Sequence, residues 1–126
     1  MNTEAELNYK LFIHRENNFE RLPYTTEMGL YTAVAEGDTE RIKENFKKQR
    51  FNFMEGKGVL SDDKIRNIRY HFIVAIALVS RFCIEAGMNQ DTSYTLADIY
   101  IRKADVCNSY QTIVDMFLEM QLDYAE

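Results

Sequence analysis

The chain has 126 residues, 46% hydrophobic and 28% charged, the make-up of one folded domain rather than a disordered segment. A single proline and five glycines argue against a many-turned β architecture. A net charge of -5 disfavours a surface that tracks a nucleic-acid backbone, which needs a basic excess.

Residues 1–22 are the least defined segment. Leu7, Leu11 and Phe12 suit one face of an opening helix, with Glu4, Glu6, Lys10 and Arg15 on the other, and Asn17-Asn18 interrupts it. A short strand near 9–13 is the alternative for this stretch. Pro23 marks a boundary, because the residue before a proline is biased away from helical dihedrals. From 23 to 126 the expectation is one helical domain.

Thr25 or Thr26 is expected to cap a helix carrying Met28, Leu30, Tyr31 and Val34 at spacings of three and four. Gly37 suits the left-handed position that ends it, and Asp38 caps the next helix at once. That helix sets Ile42 and Phe46 on its buried side and Arg41, Lys43, Lys47, Lys48 and Arg50 on the other, either as a solvated face or as a phosphate-contacting one. The two must fold back as an αα-hairpin to bury Leu30, Val34, Ile42 and Phe46. Residues 51–60, FNFMEGKGVL, read as a loop pinned by Phe51, Phe53 or Leu60.

Ser61-Asp62-Asp63 is a helix-start signal, a capping hydroxyl followed by two negative charges at the positive end of the macrodipole. The helix is expected to run over about 61–86 and stop at Gly87. Ile65, Ile68, Phe72, Ile76, Val79 and Cys83 cover one wide face, and Val74, Ala75, Ala77 and Leu78 fill much of the rest. A helix so apolar should be surrounded by others, making it the spine of the domain. A turn at Asn89–Asp91, a short helix near 92–94 and a helix over 96–106 opened by Thr95 and Asp98 come next. Ser109 caps a last helix with Ile113, Val114, Phe117, Met120 and Tyr124 at helical spacing. The fold class is therefore all-α, a single domain of five to six helices around a long buried central helix. Asp115, Glu119, Asp123 and Glu126 stand at a helix end that prefers cations, so the reading expects a longer chain beyond 126.

No catalytic constellation is legible. His14 and His71 are far apart, and there is no HExxH, GxSxG or phosphate-cradling glycine loop. Cys83, Cys107 and His71 match no metal-ligand spacing, and the two cysteines form no CxxC pair. The expectation is a non-enzymatic protein with no cofactor and no metal. MNTEAELNYK has no apolar core for a leader, and the longest apolar run, Phe72 to Val79, is short of the ~20 residues of a membrane span. A cytoplasmic protein without a membrane partner is expected. Polar residues on the spine, Arg66, Tyr70, His71 and Arg81, with Tyr94 and Tyr100 beyond it, either fix helix crossings or line a pocket or self-association face. Arg81 is expected to meet a carboxylate such as Glu85.

The stretch 58–126 resembles the helical region just upstream of the DNA-binding domain in AraC-type transcriptional regulators of Firmicutes. The resemblance is carried by LSDDKIRNIRY (60–70), RFCIEAGM (81–88), SYTLADIYIRKAD (93–105) and EMQLDYAE (119–126), and residues 27–46 with the AEGD turn fit the same family. It implies a regulatory domain for self-association, effector sensing or both. DNA would be read only by a helix-turn-helix domain beyond 126, the chain would be a homodimer, and a small-molecule effector is conceivable though the resemblance names none. The alternative comes from LYTAVAEGDTERIKENF (30–46), which is similar to one ankyrin-type helix pair. No 33-residue repeat follows it, so the alternative is a stand-alone helical adaptor that binds another protein.

Overall fold

The computed structural model describes residues 2–49 and 53–126. Arg50 and Phe51, part of the basic run and of the pinned loop, lie outside them. The described residues form six helices: α1 (Thr3–Glu16), α2 (Tyr24–Ala35), α3 (Thr39–Gln49), α4 (Lys64–Glu85), α5 (Gln90–Val106) and α6 (Tyr110–Ala125). They contain no strand, and the 9–13 stretch is helical.

α4 is the spine, packed between α2, α5 and α6, while α3 closes against α2 and α6. Its Ile68, Phe72, Ile76 and Val79 are fully buried, worth about 1.5–3 kcal/mol each relative to exposure. By length and composition alone α4 is apolar enough to cross a bilayer, with mean hydropathy 1.3 over its most apolar window, but its buried face, Ile68 to Cys83, packs in the protein core. It is not enclosed all round as the sequence suggested. Val74 is 48% exposed, on the side where a loop rather than a helix lies over the spine.

A row of rings crosses four elements. Phe53 meets Phe117 edge-on at 4.6 Å, Phe117 meets Phe72 at 5.2 Å, and Phe72 lies 6.3 Å from Tyr100. A buried polar chain ties α4, α5 and α6 together. Ser93 Oγ donates to Ser80 O at 2.9 Å, and Tyr124 OH donates to Ser93 O at 2.5 Å. Two serines fully shielded from solvent are tolerable because each hydroxyl is satisfied, Ser80 Oγ donating to Ala77 O at 2.9 Å.

The hairpin forms as its turn residues require. Gly37 has φ 71°, and the Asp38 carboxylate accepts from Arg41 N at 3.1 Å. Other helix starts differ from the expected ones. α2 begins at Tyr24 with Pro23 in the capping position, and it has no side-chain cap because proline carries no side-chain acceptor. Asp63, not Ser61, caps α4, accepting from Arg66 N at 2.9 Å, while Ser61 Oγ accepts from Asp63 N. The two helices expected over 92–94 and 96–106 are one, α5, capped by Asn89 on Thr92 N. Nothing between Gln90 and Thr95 breaks a helix, and Ser93 anchors that first turn to the spine.

Candidate functional site

After α1 the chain turns sharply at Asn18 (φ 54°) and runs back as a strap, residues 19–22, beside the 53–60 loop. Leu22 N donates to Gly56 O at 3.1 Å. The contact is so close that a Cβ on Gly56 would sit 2.8 Å from Leu22 N, and Gly56 itself has φ 79°. Only glycine fits there without strain. Next to it, Arg21 lays its guanidinium against Gly58, where a Cβ would lie 2.9 Å from Nη1.

Under strap and loop, against α2, α4 and α6, lies a cavity of about 310 Å³. Phe53, Val79, Phe117 and Met120 supply apolar lining, and Arg21, Glu27, Tyr31, Lys57, His71 and Gln121 the polar groups. Lys57 is half-buried, its Nζ 4.4 Å from the centre of the Phe53 ring and donating to Phe53 O at 2.5 Å. Burial holds its ammonium below the usual lysine value, an effect that the nearby Glu27 carboxylate opposes. Tyr31 donates its hydroxyl to Glu27 Oε1 at 3.2 Å, and burial, then Glu27, pushes its phenol well above the usual range. His71 Nε2 is 2.7 Å from Gly58 O, pinning the loop to the spine. The arrangement offers an apolar slot with two cations and one carboxylate at its polar side.

The six residues singled out from the sequence form no single site, although Arg81 and Tyr94 meet. His71 alone lines the cavity. Arg66 is exposed in the first turn of α4, and Tyr70 is exposed on the same helix. Arg81 forms no ion pair with Glu85. It bonds Ser80 Oγ at 2.9 Å and lies 4.9 Å from the Tyr94 ring, because the α5 start brings that ring within reach. Tyr100 is in the core and donates its hydroxyl to Asp123. Among the described residues the ion pair formed is Arg41–Glu36, at 3.9 Å. Cys83 and His71 sit twelve residues apart on one helix, about 18 Å along its axis, too far to share a metal ion. Burial pushes the Cys83 thiol up, toward the unreactive form.

Arg21, Glu27, Tyr31 and Lys57 were missed by sequence reasoning. The available signal was a lysine flanked by Gly56 and Gly58 in an otherwise irregular loop.

A second feature is α1 itself, which packs on no other helix among the described residues. Tyr9, Lys10, Ile13 and His14 turn toward the 54–60 loop across an open groove. Leu7, Leu11 and Phe12 remain 54%, 46% and 49% exposed. No protein-family model matches this chain, and neither a curated protein nor a solved structure matches it.

Proposed function

We propose that the chain is the regulatory domain of an AraC-type transcription regulator, one that self-associates, senses an effector or does both, and does not itself read DNA. The sequence resemblance over 58–126 and the acidic balance support this reading. The observation that carries its self-association half is the open face of α1. The helical period of α1 puts Glu4 and Arg15 on the same side as Leu7 and Leu11, not on the opposite face expected from the sequence. Paired antiparallel with a second copy, that side would set Glu4 beside Arg15 at both ends, with Leu7, Leu11 and Phe12 of each copy across the middle. A helix of 14 residues is about 21 Å long, so the interface is small and the association concentration-dependent. Its worth to a regulator lies in joining two DNA readers, which raises their effective concentration at paired half-sites.

Sedimentation over a rising concentration series tests this. A dimer fraction that grows with concentration is expected. Arg15→Glu should leave the chain monomeric, and Glu4→Arg added to Arg15→Glu should restore the dimer with both signs exchanged. A chain that stays monomeric throughout, or a dimer indifferent to these changes, sinks the assignment.

The second reading, a stand-alone adaptor, draws on the α2–α3 hairpin and on the same exposed face, which would then take a different protein. The intact mass of the protein in its source cell separates the two. A product larger than 14.8 kDa by a domain of roughly a hundred residues favours the regulator. A product of 14.8 kDa puts the adaptor first.

A further inference from the structure

The cavity under the strap has a size, a lining and a charge that together specify a ligand class. Its volume of about 310 Å³ is at the lower end of small-molecule sites, roughly 300–1,000 Å³. Its apolar lining calls for an apolar body. Among the described residues that line it, Arg21 and Lys57 are cationic and Glu27 is the one carboxylate. Glu27 keeps its charge while accepting from Tyr31, so two cations against one carboxylate leave the lining with a positive surplus. Lys57 is the sharper case, for an ammonium has three donors and the described residues give it one acceptor, Phe53 O. A half-buried ammonium short of partners is costly and gains from an anion brought to it.

We propose that the cavity binds a small molecule with an apolar body and a single carboxylate, the body lying against Phe53, Val79 and Phe117 and the carboxylate on Lys57 and Arg21. A cationic ligand would oppose both side chains. A neutral one could offer Lys57 an acceptor but no opposite charge. The strap that follows α1 lends Arg21 and Leu22 to the cavity lining, so binding there bears directly on that strap. The assignment deepens the effector-sensing half of the function proposed above and does not depend on self-association, since a monomer has the whole cavity.

Three probes of one shape decide it: 3-phenylpropanoate, its neutral amide, and 3-phenylpropylamine, titrated into the full chain by calorimetry and by ligand-observed NMR. The carboxylate should bind about ten- to a hundredfold more tightly than the amide, the scale of a charge-assisted hydrogen bond, with the amine weakest. Lys57→Met should remove that preference. Arg21→Gln, a change at an exposed side chain, should reduce it and keeps the test open if the Lys57 variant does not fold. Bound carboxylate should also protect Lys57 from acetylation by a water-soluble reagent. The assignment is overturned if the amide matches the acid, if the acid binds undiminished to both variants, or if no probe binds at millimolar concentration. A variant made monomeric through α1 that still binds the acid shows the two proposals failing or holding separately.

Discussion

At the scale of single residues, the site depends on positions with little bulk. Gly56 is held at a positive φ with its α-carbon against the backbone of Leu22, so both strain and clash oppose any side chain. Gly56→Ala should cost on the order of 1–3 kcal/mol locally. The global melt should move less than that figure implies, since the strap and loop can part without opening the α4 core. Amide exchange at Leu22, which donates to Gly56 O, is the informative readout and should accelerate well beyond that of the core helices. An unchanged Leu22 amide in a folded Gly56→Ala protein would mean that the strap is held by something other than this contact. Arg69 shows the reverse case, a long side chain used to finish another element. Its guanidinium donates to Ala104 O and Cys107 O, both at 2.9 Å, closing the end of α5 from α4.

At the scale of elements, legibility followed the range of the signal. Asp38 and Ser109 were readable as caps because a cap acts within three residues of itself, and both accept from the N–H expected. The α4 pattern was readable because about six turns of apolar spacing outweigh local ambiguity. The start of α5 was not, since Thr95 and Asp98 mimic a capping box inside a helix whose true cap is six residues earlier. What decides between them is Ser93, fixed to Ser80 O across the interface, and no local pattern reveals a contact thirteen residues away. The same limit explains the site. His71 was found on a helix face, whereas Arg21, Glu27 and Lys57 come from a strap, a helix and a loop with no shared period. Tyr100 was placed among interface candidates by composition, yet one buried ring on α5 and one carboxylate on α6 make it a core residue. An aromatic with a polar tip serves either use, and only the packing of α6 chooses.

Across the whole molecule, the buried tyrosines couple folding to protons. Tyr31, Tyr100 and Tyr124 come from α2, α5 and α6, and burial is the first cause raising each phenol above its ordinary value. The Glu27 carboxylate adds to the rise at Tyr31 and the Asp123 carboxylate at Tyr100. An unfolded tyrosine loses its proton near pH 10, so above that value the unfolded chain binds fewer protons than the native one. Stability from these three groups is present in full below about pH 10 and falls as pH rises beyond it. Lys57 acts with the opposite sign. Its native value is lowered, so its contribution improves as pH rises toward the ordinary lysine value. The Lys57 gain ends near the ordinary lysine value, while the tyrosine loss continues above it. The midpoint of thermal unfolding should therefore stay flat through neutral pH and drop steeply above about pH 10, with tyrosinate absorbance appearing together with loss of helix. Tyr100→Phe removes one of the three raised phenols. It should lower the neutral-pH midpoint, by the worth of one hydrogen bond, about 1 kcal/mol, and yet flatten the alkaline slope. The two effects have different origins, one in the native contact with Asp123 and one in the proton that Phe does not carry. An alkaline slope as steep in the variant as in the parent would assign the base sensitivity elsewhere than to the buried tyrosines that join these helices.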